Sequence, residues 1–89
     1  MIVEYERSFY RSLEKLKDQS LFKKLENIIL RLEAANSLSE IVGAYKLTGY
    51  KNYYKIRIGS YRLGFEKISS NRIRLIIIAN RKDIYNIFP

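Results

Sequence analysis

Hydrophobic and polar residues alternate most regularly in residues 53–65, which read Tyr-Tyr-Lys-Ile-Arg-Ile-Gly-Ser-Tyr-Arg-Leu-Gly-Phe. Alternate positions are apolar on each side of the pair Gly59-Ser60. A period of two across a two-residue Gly-X loop predicts a β-hairpin. Glycine in the first loop position suits a type II′ turn, because that position requires a positive φ. The apolar face consists of Tyr54, Ile56, Ile58, Tyr61, Leu63 and Phe65.

The turn also sets which residues share the other face of the hairpin. With that two-residue loop, Arg57 lies directly opposite Arg62, and Lys55 and Tyr53 lie on the same face. Like charges directly opposite each other destabilise a strand pair. One interpretation is a solvated face whose long side chains extend into water. The other is a site that binds an anion, and the third cation and the tyrosine favour it.

Helical periodicity precedes the hairpin. Residues 6–17 repeat apolar side chains at helical spacing, and residues 20–36 do so again. The first stripe is Phe9, Leu13 and Leu16, and the second is Leu21, Leu25, Ile28, Ile29 and Leu32. Ser20 is the predicted N-cap of the second helix, with a tight connection at Gln19-Ser20 between two antiparallel helices. A short strand, Ile2–Tyr5, stands before both helices.

The remaining segments are shorter. Residues 37–40 read Ser-Leu-Ser-Glu and predict a single capped helical turn. The pair Lys46-Leu47 marks the start of a second strand. Residues 73–79 form the last strand, and its apolar run after Arg74 is typical of a central strand covered on both faces. Arg72 and Arg74 are expected to flank that strand at its solvated end.

These elements predict a single α+β domain spanning residues 1–89. Its N-terminal strand and two-helix hairpin pack on one face of a mainly antiparallel sheet. The cationic face of the β-hairpin then points away from the helices, into an open concavity. Arg81 and Tyr85 follow the last strand, and the tail could fold them over this concavity. About one turn of the tail is expected to pack onto the domain through Ile84, Ile87 or Phe88.

Charge is distributed unevenly along the chain, which has 89 residues and a net charge of +8. Residues 1–44 hold seven basic and seven acidic residues, whereas residues 45–89 hold ten basic and two acidic residues. The excess therefore lies entirely in the second half, which predicts a polyanionic partner. Nucleic acid is the first candidate and an acidic protein the second. A membrane surface comes third, because the basic segment alternates as strands and does not form a basic amphipathic helix.

The composition also narrows the possible chemistry. The chain has neither cysteine nor histidine, so disulfides, thiolate catalysis and the commonest metal ligand are excluded. No cofactor and no zinc or non-haem iron site are expected. The lack of cysteine fits a reducing cytoplasm. The N-terminal residues Met-Ile-Val-Glu-Tyr do not form a secretory signal, and no apolar run is long enough to span a bilayer.

Three motifs carry a family resemblance. They are Lys46-Leu-Thr-Gly49, Tyr54-Lys-Ile-Arg-Ile-Gly-Ser-Tyr-Arg-Leu63 and Asn80-Arg-Lys-Asp-Ile-Tyr85. In this order and spacing they resemble the RelE/ParE superfamily of bacterial and archaeal toxins. Length and element order extend the resemblance over the whole chain.

The resemblance implies a specific activity. RelE-like toxins enter the ribosomal A site and cut the mRNA there without a metal ion, since the ribose 2′-hydroxyl attacks the adjacent phosphate. The implied partners are the ribosome, its mRNA and a cognate antitoxin protein that wraps the toxin. The alternative is the ParE branch, whose members inhibit DNA gyrase and cut no RNA.

The resemblance also implies site residues. Lys55 and Arg57 match two basic positions on the strand before the turn, and Arg62 matches an arginine just after it. Arg81 and Tyr85 match an arginine and a tyrosine beyond the last strand. By resemblance, Arg62 and Arg81 neutralise the scissile phosphate, and Lys55 is the general base. Tyr85 stacks on a base, orients it or shares in proton transfer.

Two positions depart from the family pattern. Position 57 is arginine where the best-known branch has lysine, and arginine is a poor proton acceptor. Position 80 is asparagine where many relatives have histidine. Tyr85 and Arg81 also have simpler interpretations, as a core aromatic and a helix-start residue. Further RNA contacts are expected from Lys46, Lys51, Tyr53 and Lys82.

Overall fold

The computed structural model describes all 89 residues and confirms the α+β fold. The helices and strands follow in the order β1 (Ile2–Tyr5), α1 (Arg7–Glu14), α2 (Gln19–Ala34), a 3₁₀ turn (Leu38–Glu40), β2 (Ala44–Lys46), β3 (Tyr53–Ile58), β4 (Tyr61–Ser69), β5 (Arg72–Asn80) and α3 (Arg81–Ile87). The five strands form one sheet in the order β1-β5-β4-β3-β2. Only the β1–β5 pair is parallel.

The central hairpin has the predicted register. Ile58 pairs with Tyr61 and Arg57 pairs with Arg62, so the two arginines face each other across β3 and β4. Gly59 has φ +60, as the first position of a type II′ turn requires. The local alternation and the glycine therefore suffice to place the cations on one face of the sheet.

The main core lies between the helices and the opposite face of the sheet. Leu63, Phe65, Ile73 and Leu75 are fully buried on the strands. The helices contribute Phe9, Leu21, Leu25 and Leu32 to the same cluster. The stripe of α2 is thus confirmed, with Ile28 and Ile29 at the margin of the core. Helix α1 ends at Glu14, before the predicted residue 17, so Leu16 lies beyond it, and both Leu13 and Leu16 pack at the margin of the core.

The start of α2 differs from the prediction. Asp18, not Ser20, is the N-cap: its Oδ1 accepts the N–H groups of Ser20 and Leu21 at 3.0 and 3.4 Å. Ser20 lies in the first turn of the helix and donates its hydroxyl to the same oxygen. These bonds, the Ser20 side chain foremost, lower the pKa of Asp18. The carboxylate outcompetes the hydroxyl as cap because its charge also complements the helix dipole.

Helix α1 closes the sheet edge that β1 leaves open. β1 is shorter than β5, so the second half of β5 has no strand neighbour on that side. There the Ser8 hydroxyl donates to the carbonyl oxygen of Ile76 at 2.6 Å, and the Ile78 N–H donates to the Ser12 hydroxyl at 3.0 Å. Two serines one helical turn apart thus provide hydrogen bonds to backbone groups of β5 that a neighbouring strand would otherwise provide.

Arg72 and Arg74 do more than flank β5. Arg72 binds Glu4 on the neighbouring strand at 2.6 Å, and Arg74 binds Glu4 at 3.3 Å and Glu6 at 3.4 Å. The hydrogen bond from Arg72 is the main cause that lowers the pKa of Glu4. These pairs tie the N-terminal strand to the sheet.

Acid should weaken the fold through these carboxylates. A carboxyl whose pKa is lowered in the folded state stabilises that state at pH values above its unfolded pKa. The contribution disappears as the pH falls through the lowered folded pKa. We expect Glu4→Gln to flatten the acid side of a plot of melting temperature against pH. Glu14→Gln, at an exposed carboxylate without an ion pair, is the control; equal flattening in both variants would contradict the prediction.

The C-terminal helix is longer than the single turn expected from the sequence. Two buried residues anchor it: Ile84 within the helix and Phe88 directly after its end. Ile87, in contrast, is 53% exposed. The Phe88 ring lies against Gly64, where an added Cβ would sit 2.9 Å from three ring atoms. Gly64 pairs with Lys55, so α3 covers part of the face that the sequence predicted to be open.

Candidate functional site

Helix α3 brings Tyr85 to Lys55. Lys55 is only 6% exposed and is the one buried residue of the chain with an ionisable side chain. Its Nζ lies 4.6 Å from the centroid of the Tyr85 ring, so the buried stem ends at an aromatic face that attracts a cation. Tyr85 itself is 72% exposed. The interpretation of Tyr85 as a core aromatic is therefore wrong, because Ile84 and Phe88 occupy the core positions of the tail.

Arg62 is held by the turn that precedes it. Its Nη1 donates to the carbonyl oxygens of Gly59 at 3.0 Å and Tyr61 at 2.8 Å. A guanidinium has five N–H donors in a rigid plane. The turn thus fixes that plane through one nitrogen and leaves the other two for a ligand.

Arg81 is the first residue of α3 and is exposed. Its backbone N–H donates to the Ser60 carbonyl oxygen at 2.9 Å, which ties the start of the helix to the tip of the hairpin. Asn80 caps the helix by accepting the Lys82 N–H at 2.9 Å. The residue that departs from the family pattern therefore has a structural role here.

Arg57 points toward a different neighbour. Its guanidinium carbon lies 5.6 Å from the ring centroid of Tyr45 on β2, and Tyr45 pairs with Lys55 in the sheet. Sequence reasoning missed Tyr45. The sequence contains a signal for it: Ala44-Tyr45-Lys46 precedes the hairpin as a short strand, and alternation along that strand places Tyr45 on the same face as Lys55.

The four predicted RNA contacts lie in different surroundings. Tyr53 is part of the site face and stacks edge-on against Phe88 and Tyr50, with ring centroids 5.6 and 5.8 Å away. Lys51 is exposed in the loop before β3, and Lys82 is exposed on α3. Lys46 pairs with Tyr54 and therefore lies on the opposite side of the sheet from Lys55, where it lines a hollow together with Lys51.

The site has a strong positive charge because no carboxylate neutralises it. All ion pairs of the chain join Arg72 and Arg74 to glutamates of the N-terminal segment. Lys55, Arg62 and Arg81 take part in none of these ion pairs. Such an arrangement can bind a phosphodiester and stabilise charge that develops on it. No helix has the length and apolar character needed to cross a membrane.

Comparisons with known proteins identify relatives of this chain. A family model described as the ParE toxin of the type II toxin–antitoxin system parDE matches residues 3–85. Toxin RelE3 of Methanocaldococcus jannaschii is 33% identical over 90 residues, with both chains covered completely.

Solved structures show the same fold. In the RelB–RelE antitoxin–toxin complex from Methanococcus jannaschii, the matching chain has a TM-score of 0.80 and 31% identity, with 97% of this chain and 99% of that chain covered. The archaeal RelE–RelB complex from Pyrococcus horikoshii matches with a TM-score of 0.70 and 19% identity, covering 92% of this chain and 96% of that one.

Proposed function

The chain belongs to the RelE/ParE superfamily of toxins from type II toxin–antitoxin systems, and on that premise we propose that it is a RelE-like endoribonuclease. Its substrate in this proposal is mRNA in the ribosomal A site. The observation that carries the proposal is the contact between buried Lys55 and exposed Tyr85, beside two arginines that no carboxylate neutralises. A site of that kind suits a polyanion whose charge grows during the reaction.

The proposed reaction is an internal transesterification. The 2′-oxygen of the ribose attacks the adjacent phosphorus, the bond from phosphorus to the 5′-oxygen breaks, and a 2′,3′-cyclic phosphate and a 5′-hydroxyl result. Lys55, as the neutral amine, takes the proton from the 2′-hydroxyl, and the Tyr85 hydroxyl can supply the proton that the departing 5′-oxygen needs. Arg62 and Arg81 stabilise the extra negative charge on the phosphoryl oxygens. Only side chains of this protein take part, so no metal ion is required.

Tyr85 is suited to hold the substrate. Its ring is largely exposed while one face lies against Lys55 Nζ, so the other face is free to stack on an RNA base. Stacking of a base on an aromatic ring contributes about 1–3 kcal/mol. In this role Tyr85 places the scissile phosphate relative to Lys55, and its hydroxyl can supply the proton to the leaving oxygen.

The test of the activity is direct. The wild-type chain and the Arg81→Ala variant are induced separately, and the 5′ ends of cellular mRNA are mapped after each induction. Cuts within translated codons with the wild type, and their loss with the variant, support the proposal. Arg7→Ala removes an exposed arginine of α1 and controls for net charge. Uncut transcripts in cells whose growth the wild type stops would overturn it.

Inhibition of DNA gyrase is the second candidate, because the matching family model is that of the ParE toxin. This function needs no cleavage chemistry and predicts relaxed or cleaved plasmid with intact mRNA. Plasmid topology, measured in the same induced cells, separates the two candidates.

We expect a cognate antitoxin as the partner in the cell. The relatives of known structure were solved as complexes of RelE with RelB, and an exposed basic site calls for an acidic or wrapping inhibitor. Association of the antitoxin with this chain should be fast, and its rate should fall as salt is added, because salt screens the attraction between opposite charges.

Substitution of Tyr85 distinguishes stacking from proton transfer. Tyr85→Phe keeps the ring over Lys55 and removes only the hydroxyl, whereas Tyr85→Ala removes both. If stacking dominates, we expect Tyr85→Ala to slow cleavage by about 10- to 100-fold, the kinetic equivalent of one lost base stack. Tyr85→Phe should then remain within a few-fold of the wild type. The measurement is single-turnover cleavage on programmed ribosomes; equal losses in both variants would assign the role to the hydroxyl.

A further inference from the structure

The ring of Tyr45 and the guanidinium of Arg57 form a contact that the proposed reaction does not use. Tyr45 lies directly opposite Lys55 in the pairing of β2 with β3, so both side chains lie on the same face of the sheet. The guanidinium carbon of Arg57 lies 5.6 Å from the centroid of the Tyr45 ring. We propose that Tyr45 is a positioning residue, which holds Arg57 as a ligand for the substrate phosphate next to the cleaved one. The inference rests on the proposed function and names a further subsite of the same site.

The register of β2 explains why Arg57 reaches this ring. Tyr45 is diagonal to Arg57 across the two strands, a distance that long side chains can span. Continued by one residue beyond the start of β2, the register places Gly43 opposite Arg57, and glycine has no side chain to fill that space. Arg57 is exposed, and no carboxylate forms an ion pair with it. The aromatic ring is therefore the group that orients this side chain.

The same contact separates Arg57 from Arg62. These residues are directly opposite each other in β3 and β4, where like charges repel. Arg62 Nη1 donates to the carbonyl oxygens of Gly59 and Tyr61 at the turn, whereas Arg57 leans toward β2. The two guanidinium groups thus leave their strands in different directions. Arg57 is for this reason suited to a different phosphate from the one assigned to Arg62 and Arg81.

Arginine suits this task better than lysine, the residue that the best-known branch of the family has at position 57. A planar guanidinium can stack on an aromatic ring and still direct the N–H groups at its edge toward two phosphate oxygens. A lysine ammonium is a point charge without a plane to stack. The contact with Tyr45 therefore gives a physical reason for Arg57: it fixes a phosphate contact, and proton transfer is left to Lys55.

A contact to a phosphate that does not react acts on binding and not on the chemical step. It is made equally in the bound state and in the transition state, so its loss weakens binding and leaves the maximal rate unchanged. Arg62 and Arg81, which in the proposed mechanism face charge that grows during the reaction, should act chiefly on the rate. Measurement of binding and rate on the same ribosomes separates these two kinds of arginine.

The experiment measures both quantities on programmed ribosomes. Binding is measured with an mRNA that has 2′-deoxyribose at the scissile position, because without the 2′-hydroxyl the proposed reaction cannot occur. The maximal single-turnover rate is measured on the matching all-ribose mRNA. The variants are Tyr45→Leu, Tyr45→Phe, Arg57→Ala and the double variant Tyr45→Leu with Arg57→Ala. Tyr10→Leu, which removes an exposed ring from α1, is the control and should bind like the wild type.

We expect Arg57→Ala to weaken binding by about 10-fold or more, as for the loss of a hydrogen bond to a charged group, with an unchanged maximal rate. Tyr45→Leu should weaken binding by about 2- to 5-fold. Tyr45→Phe should bind like the wild type, because it keeps the ring. In the Arg57→Ala background, Tyr45→Leu should have no further effect, and this comparison cancels any effect of Tyr45→Leu on the fold itself.

Three results would overturn the inference alone. They are wild-type binding by Tyr45→Leu, an equal loss from Tyr45→Leu with and without Arg57, and a lower maximal rate for Arg57→Ala, which would make Arg57 part of the chemical step. A wild-type chain that neither binds to programmed ribosomes nor cuts their mRNA would overturn the proposed function, and the subsite with it.

Discussion

Replacement of Arg62 and Arg81 together by alanine is expected to reduce single-turnover cleavage of mRNA on programmed ribosomes by about 10⁴-fold or more. Loss of one well-placed donor to a developing negative charge typically costs about 10²–10³ in rate. The two arginines lie on different elements, β4 and α3, and in the proposed mechanism both act on the same phosphate, so their contributions should largely combine. The rate is measured at saturating ribosome concentration, which separates chemistry from binding.

Two controls make this expectation specific. Arg7→Ala with Arg11→Ala removes the same charge from exposed positions on α1 and should leave the cleavage rate within a few-fold of the wild type. Arg62→Lys keeps the charge and loses the planar donor set, so an intermediate rate is expected. Wild-type cleavage by the double alanine variant would exclude phosphate neutralisation by these residues.

The second large effect concerns Ile84, the fully buried residue of α3. Ile84→Ala should lower the free energy of unfolding by about 2–5 kcal/mol, the usual range for such a truncation in a core. A domain of this size has about 5–15 kcal/mol in total, so the loss is severe. Cleavage should fall too, because Arg81 and Tyr85 are both carried by this helix.

Ile87→Ala provides the matched control. Ile87 lies on the same helix and is 53% exposed, so its truncation should change stability by less than about 0.5 kcal/mol. Urea unfolding followed by circular dichroism gives both values. Similar destabilisation by the two variants would mean that α3 is not anchored through its buried face.

The hairpin could be predicted from the sequence because its determinants are local. Alternation fixes the faces, and Gly59 fixes the turn, so the pairing of Arg57 with Arg62 followed without any tertiary information. The position of Lys46 on the other side of the sheet follows from the same parity. The expectation that Lys46 contacts RNA beside Lys55 overlooked this parity in β2.

Other features depend on contacts between distant residues. The tail is too short to be a stable helix alone, and its length follows from Ile84 and Phe88 packing onto the sheet. Gly64 permits that packing because a side chain there would collide with Phe88. Periodicity therefore could not predict that α3 and Phe88 partly cover the face that carries Lys55. The family resemblance did place Tyr85 near the site. The cap Asp18 was missed because aspartate and serine compete for that role. Tyr45 was missed because the alternation of β2 was not followed.

The serine pair of α1 also bears on how the chain avoids self-association. β5 carries the most apolar run of the sheet, Leu75 to Ala79, and an uncovered edge of such a strand templates pairing with other molecules. Ser8 and Ser12 occupy its hydrogen-bonding groups in the folded state. Detachment of α1 would therefore present an uncharged strand edge to a second copy. Two hydroxyl groups thus help to keep a short, highly basic chain from forming intermolecular sheets.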